Sequence, residues 1–373
     1  MIRVLELLVT TAPGGGPKQV YDLVRRLPKE EFEVVVAGPR DGAFFERFRA
    51  LGLPVVALPT RRLGWRPLVE LPRLIRGSRI DVVHSHGKGA GVYGRLAARF
   101  TGAAAVHTFH GIHYERYPWL GRLAYLALER WLAARTHTIV NVSASQAREG
   151  LALGLFHPAQ SVTIVNGIEL PELDAHLAEA DVDRGRLGLA DGASVVGSVT
   201  RFDRVKRVEV LVQALARLAP RLPRLALVLV GGGEEERRVQ RLAADARLGG
   251  RVIFTGSLDD AAGMYRIFDL YVSTSRKEGL PLALLEAMGA RLAVVATDVP
   301  GHRDVVVHGE TGLLVPPDDA AALADAIAAL LADPDRRRRL GEAGRRRVAE
   351  AFTISAMVDK TVEVYRRAAA SRR

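Results

Sequence analysis

The chain changes periodicity on a regular beat. Short runs of valine, isoleucine and leucine alternate with amphipathic helical stretches, and after a polar crossing at 169–185 the beat restarts. In the first half strands are predicted at 2–9, 32–37, 55–58, 80–85, 103–109, 138–142 and 162–165. Helical patterns near 18–27, 43–51, 67–76, 92–100, 119–134 and 145–153 separate them. In the second half strands are predicted at 193–199, 225–230, 252–254 and 270–273, with helices over 208–218 and from 234. Strand-helix alternation of this kind builds a parallel, doubly wound α/β sheet. Ligands then collect at the carboxyl ends of the strands. A chain of 373 residues is long enough for two such cores, since single cores stop growing near ~250–300 residues. We expect one domain over 1–168, a second over 169–352 and a closing helix over 353–373.

Composition removes several classes of function. Without cysteine there is no disulfide, thiolate metal site or Cys nucleophile, which fits the cytosol. No apolar run reaches membrane-spanning length. Glu6 interrupts the opening apolar run, so residues 1–16 read as a first strand with its turn rather than a signal peptide. The charge is uneven: residues 1–170 hold 22 Lys and Arg against 13 Asp and Glu, while the rest is close to balanced. A basic first half suits an anionic partner, whether a phosphate-bearing acceptor, an anionic membrane or nucleic acid.

The loops after the strands carry the chemistry. The first strand ends in Thr10-Thr-Ala-Pro-Gly-Gly-Gly-Pro17 before a helix, which fits a phosphate cradle built from backbone N–H groups and equally a plain tight turn. Gly89-Ala-Gly-Val-Tyr-Gly94 matches GxGxxG but follows the fourth strand, and no ribose-binding acid comes after it, so it is not read as a dinucleotide fingerprint. Five of the ten histidines cluster at His84, His86, His107, His110 and His113. With no cysteine or carboxylate pair nearby they read as a polar cleft floor, with His110 at a strand tip, rather than a metal site. Ile112, Tyr114, Tyr117 and Trp119 lie among Arg116 and Arg122, and Trp65 lies among Arg61, Arg62, Arg66 and Arg73. Both groups suit shallow membrane contact, and both suit ordinary amphipathic helices. Asp181-Val-Asp183 has no strand before it and reads as a solvated loop.

Arg201 and Lys206 stand five apart at a strand-to-helix junction, where two cations can neutralise a diphosphate. Residues 273–307 hold Glu278, the Gly279-Leu280-Pro281 turn and Glu286. With Pro281 in the first turn of a helix, Glu286 is expected about two turns along, ~12 Å of axial rise from Glu278. Two carboxylates so separated can grip the ends of one elongated ligand.

Arg201 with Lys206, the glycine turn 231–233, Ser275-Arg-Lys-Glu278-Gly-Leu-Pro with Glu286, Asn166-Gly167, the run 294–298 and Thr311-Gly-Leu-Leu314 resemble the family 4 retaining glycosyltransferases, the glycosyl transferases group 1 of GT-B fold. The likeness spans nearly the whole chain in order. It implies two Rossmann-like doubly wound domains facing each other across a cleft, the acceptor on the first and a nucleotide sugar on the second, with the C-terminal helix crossing back. Glu286 would hold the ribose hydroxyls. Glu278 and the backbone of Gly279, Leu280 and Pro281 would face the donor sugar and phosphates, with Gly231 on the same nucleotide-sugar side. Arg201 and Lys206 would stabilise the departing diphosphate, Gly15 and Gly16 would donate N–H groups to it, and His110 would lie beside the sugar. His84, His86, Lys88 and Tyr114 are the acceptor-side candidates.

The resemblance requires no metal and no cofactor beyond the donor, with a UDP-sugar favoured over a GDP-sugar. The expected acceptor is a carbohydrate or lipid-linked glycan of bacterial surface polysaccharide synthesis. The expected location is cytoplasmic, peripheral on the inner face of the plasma membrane, with no nucleic acid partner. Arg207 and Arg291 stand where the family usually has glycine, Ala293 replaces a proline and Gly232 a common Asp. Two other readings stay open: a GT-B nucleotide-sugar epimerase, and a basic nucleic-acid-binding protein, although no recognition helix is evident.

Overall fold

The computed structural model describes residues 1–62, 64–112 and 114–371. In chain order the elements are β1 (Ile2–Leu8), α1 (Gly15–Val24), β2 (Phe32–Gly38), α2 (Ala43–Ala50), β3 (Val55–Ala57), α3 (Trp65–Gly77), β4 (Val82–His86), α4 (Lys88–Thr101), β5 (Ala104–Phe109), α5 (Trp119–Ala133), β6 (Thr138–Asn141), α6 (Ala144–Ala152) and β7 (Ser161–Thr163). There follow α7 (Leu170–Glu179), β8 (Ser194–Val199), α8 (Val208–Leu218), β9 (Leu225–Val230), α9 (Glu236–Asp245), β10 (Val252–Gly256), β11 (Leu270–Ser273), α10 (Leu282–Gly289), β12 (Val294–Thr297), α11 (Pro300–Val305), β13 (Leu313–Val315), α12 (Ala320–Ala332), α13 (Pro334–Ala351) and α14 (Ile354–Ala370). Two compact units divide the chain: Met1–Asn166 with Ile354–Arg373, and Gly167–Thr353.

The first unit holds a seven-stranded sheet in the order β3-β2-β1-β4-β5-β6-β7, the second a six-stranded sheet in the order β10-β9-β8-β11-β12-β13. Every strand pair in both is parallel. The order reverses direction beside β1 and again beside β8, and ligand sites of doubly wound sheets lie at such switch points.

Alternation along the strands sorts the first unit's side chains by face. Val4, Leu8, Val82 and Val106 share a core with the buried face of α14, from Ile354 to Ala368. Leu5, Leu7, Val83 and Ala105 pack instead with residues of α3 and α4. The same parity puts Glu6, His84, His86, Thr108 and His110 on the α14 side, and Ser85 and His107 on the other. Glu6 is therefore a carboxylate at 0% exposure in the middle of a central strand, a position that costs several kcal/mol unless it is paired.

Two expectations are corrected here. The polar crossing contains α7, in which Leu173 alone is buried; a single buried position is too weak a stripe to register as periodicity. Pro281 precedes α10 with extended backbone, so Glu286 lies little more than one turn into that helix, roughly 6 Å of rise from its start. The GxGxxG residues lie inside α4, where a Cβ at Gly89, Gly91 or Gly94 would meet Thr60, His107 or Ser85 at 2.2, 2.5 and 2.9 Å. These glycines seat a helix against its sheet.

Candidate functional site

In the second unit three loops meet at the carboxyl ends of β8, β9 and β11. The loop after β8 is shaped from within, because Asp203 Oδ1 accepts from the Val205 and Lys206 N–H groups at 3.0 and 3.1 Å. It is tied to the loop after β11 by the Arg276 N–H donating to the Val205 carbonyl at 2.8 Å and by Thr274 Oγ1 donating to the Lys206 carbonyl at 2.9 Å. The loop after β9 passes directly beneath. Gly231 has φ 130°, and a Cβ there would stand 1.9 Å from the Thr200 carbonyl oxygen; only glycine permits that approach.

The clasped loops bring Lys206 and Glu278 together. Lys206 Nζ donates to Glu278 Oε1 at 2.6 Å, and Ser275 Oγ donates to the same oxygen at 2.6 Å. Burial raises the Glu278 carboxyl, but the charges of Lys206 and His302 and the bonds from Lys206 and Ser275 outweigh it and hold it below the usual range. Arg201, on the same loop as Lys206, is 67% exposed and reaches Asp203 at 3.3 Å. The pair is thus an ionised carboxylate gripping one cation, with a second cation open to solvent close by.

Glu286 stands on α10 and meets Tyr265 of the turn Ala262–Ile267, whose hydroxyl lies 2.9 Å from Glu286 Oε2. Burial and the Glu286 charge raise the Tyr265 phenol far above its ordinary value, so it remains a donor. Sequence reasoning missed Tyr265, His302 and Gly301. His302 is fully buried, with Nδ1 2.8 Å from the Thr297 carbonyl and Nε2 3.0 Å from Ser273 Oγ; it braces the end of β11. Gly301 lets α11 press on Glu278, where a Cβ would come within 2.5 Å of its carbonyl oxygen. The 297–302 segment held a readable sign, a glycine and a histidine directly after a buried strand.

The departures from the family pattern have a backbone explanation. Arg207 and Arg291 have φ 54° and 61°, the left-handed region that glycine adopts freely and other residues enter at about 1–2 kcal/mol. Arg207 is held there by Asp318, with Nε 2.6 Å from Oδ1.

In the first unit the loop after β1 opens α1 at Gly15, without a side-chain cap on the helix. Among the described residues no side chain caps its first-turn N–H groups, the kind of helix start that suits an anion. Asp41 fixes the loop by accepting from the Thr11 N–H at 2.7 Å. Gly16 faces the His110 ring, 3.7 Å from where its Cβ would be. His86 Nδ1 lies 3.1 Å from His110 Nε2, and His86 Nε2 lies 2.7 Å from Glu6 Oε2. His110 is only partly buried; burial and His86 push its imidazole down to about 3.

The acceptor-side candidates divide. His84 and His86 are 3% and 2% exposed, and His84 is spent on Tyr365 and Thr108 at 2.6 and 2.7 Å. Facing α14 inside the unit, neither ring presents itself to an acceptor, which corrects that expectation. Lys88 is exposed but engaged, its ammonium 4.1 Å from the Tyr117 ring centroid and 4.6 Å from that of Tyr125. Tyr114 carries the Arg122 guanidinium 4.5 Å over its ring. His113 lies outside the described residues.

Glu6, His84 and His86 offer ligand atoms within 4.8 Å of one another. Each imidazole nitrogen and carboxylate oxygen of the three already has a hydrogen-bond partner, so a cation there would have to break those bonds.

Two parallel doubly wound units, with an uncapped glycine-led helix in one and a Lys-Glu clasp between strand-end loops in the other, define an α/β protein of the GT-B class. The family described as Glycosyltransferase Family 4 matches residues 13–172, and Glycosyl transferases group 1 matches residues 179–347. The chain is 32% identical over 393 residues to alpha-maltose-1-phosphate synthase of Mycolicibacterium smegmatis, covering 96% of each chain. It is 24% identical over 352 residues to UDP-Gal:alpha-D-GlcNAc-diphosphoundecaprenol alpha-1,3-galactosyltransferase of Escherichia coli, covering 91% of this chain and 90% of that one. Its fold superposes on Anabaena Alr3699/HepE in complex with UDP-glucose with a TM-score of 0.85 at 21% identity, covering 98% of this chain and 99% of that chain. The chain belongs to the family 4 glycosyltransferases.

Proposed function

We propose that the chain moves a hexosyl unit from a UDP-sugar, with retention of anomeric configuration, to a hydroxyl of a lipid-linked or anionic glycan. The observation that carries the reading is the Lys206-Glu278 clasp with Arg201 beside it. Glycosyl transfer develops negative charge on the departing diphosphate, and preorganised cations at that point lower the barrier by several kcal/mol. Lys206 and Arg201 supply that charge, so no metal is assigned to the diphosphate. Glu286, oriented by Tyr265, takes the ribose hydroxyls, and the Gly279 to Pro281 backbone takes the sugar and phosphates. In the first unit Gly15 and Gly16 are assigned as N–H donors to an anion. No side chain is assigned as a covalent nucleophile.

The preference for UDP and for a lipid-linked acceptor is supported by the relatives that use them. The surface of the first unit supports a membrane-side acceptor. Trp65 on α3 and Trp119 on α5 are 71% and 70% exposed, and Leu68, Leu120 and Leu123 are exposed beside them. Apolar side chains among arginines suit an anionic interface. Among the described residues no helix is long and apolar enough to cross a membrane, so the contact would be shallow. Thermal shifts with UDP, GDP and ADP, followed by the matching sugars with and without lipid-linked acceptor, test the reading. Stabilisation by UDP and acceptor-dependent product are expected; product from the nucleotide sugar alone would favour an epimerase.

A further inference from the structure

The buried carboxylate of Glu6 sits at the head of a hydrogen-bond chain whose direction can be worked out. An ionised carboxylate only accepts. The Tyr365 hydroxyl donates to Glu6 Oε1, which consumes its one proton. At the 2.6 Å contact between Tyr365 and His84 Nδ1 the imidazole must therefore donate, and His84 Nε2 accepts from Thr108 Oγ1 at 2.7 Å. On the other side His86 Nε2 donates to Glu6 Oε2 at 2.7 Å. With His86 neutral its Nδ1 is a lone pair, and at 3.1 Å His110 Nε2 is the donor. His110 Nδ1 has no partner among the described residues.

We propose that Glu6, acting through His86 and locked from behind by Tyr365, fixes His110 as the neutral Nε2–H imidazole, so that Nδ1 offers a lone pair to a ligand hydroxyl beside the Gly16 loop. The choice of a hydroxyl ligand rests on the glycosyl-transfer reading above; the tautomer does not. Glu6, His86 and Tyr365 are positioning residues, and they couple the last helix of the chain to its first strand and to the Gly16 loop. The partner that orients an imidazole sets which nitrogen carries the proton, and here the orienting carboxylate is two rings away. Burial holds His84 well below its ordinary range, and burial with the neighbouring His86 does the same for His110, which agrees with neutral rings.

The test uses the full chain labelled with 15N-histidine, with His110 and His86 assigned from His110→Gln and His86→Gln. Long-range 1H–15N spectra at pH 7.5 should show both rings as pure Nε2–H forms. In Glu6→Gln the amide can donate as well as accept, so the His86 and His110 signals should move toward mixed tautomers. In the same variant kcat should fall about 10–100-fold, the range seen when a partner orienting a histidine is lost, with KM for the donor within about 3-fold. Tyr365→Phe keeps the ring packing and removes only the hydroxyl, so it serves if Glu6→Gln fails to fold; a smaller shift in the same direction is expected. His110 in the Nδ1–H form, His86 protonated on both nitrogens, or a His110 signal unmoved in either folded variant would overturn the proposal. Because the spectra need no substrate, failure to find a sugar donor would sink the functional reading and leave the tautomer result standing.

Discussion

Lys206 Nζ and Glu278 Oε1 are 2.6 Å apart although 72 positions separate the residues. Each explains the other's burial: the lysine side chain is 19% exposed and the glutamate 10%, and neither charge could be held there alone without a large desolvation cost. A diphosphate arriving at this clasp meets a cation already positioned by its partner.

Glu278→Gln keeps the shape and removes the charge that grips Lys206. Transfer should drop by roughly 100-fold or more, of the order seen when one preorganised electrostatic group is lost. Stability should fall by only about 1–3 kcal/mol, since the amide can still accept from Ser275. Initial rates and urea unfolding measure the two effects separately; unchanged rates would mean the clasp is structural.

Tyr265→Phe removes one hydroxyl from Glu286. With the carboxylate no longer oriented, nucleotide affinity should weaken about 5–10-fold, corresponding to roughly one hydrogen bond of 1–1.5 kcal/mol. Titration calorimetry with UDP reads it directly. Unaltered affinity would separate Glu286 from the ribose.

Gly301→Ala places a methyl 2.5 Å from the Glu278 carbonyl oxygen and 2.7 Å from its Cβ. The Glu278 loop must move, costing about 1–3 kcal/mol and most of the activity. A fully active, equally stable variant would show that α11 yields without disturbing the site.

Burial keeps His84, His107 and His302 below the ordinary value of 6.5 and takes His110 to about 3. The unfolded chain therefore binds more protons than the folded one as pH drops below 6.5. Their contribution to stability is complete above that value and is lost at up to about 1.4 kcal/mol per pH unit for each ring. The urea midpoint should fall between pH 7.5 and pH 5, before most carboxylates titrate. A constant midpoint over that range would mean these rings protonate without unfolding.

The alternation of periods made the parallel sheets legible, and each of the seven strands expected in the first half is present. What stayed hidden had little periodicity to display. β13 is three residues long, and α13, Pro334–Ala351, is rich in arginine and has glycine at two of its four buried positions, so its buried stripe carries little apolar signal. The second unit's site was largely readable, because Lys206, Glu278 and Glu286 sit on loops and a helix start with local signatures. The network under His110 was not: Glu6 read only as a break in an apolar run, and Tyr365 lies 359 positions away on a helix whose register nothing local ties to β1. Contacts of that kind come from packing alone.

The most direct test of the account is UDP release from a panel of UDP-hexoses in the presence of lipid-linked glycan, comparing the wild-type chain with Lys206→Ala. One sugar should support acceptor-dependent release in the wild type, slowed at least about 100-fold in the variant; wild-type rates from Lys206→Ala would contradict the leaving-group role on which the account rests.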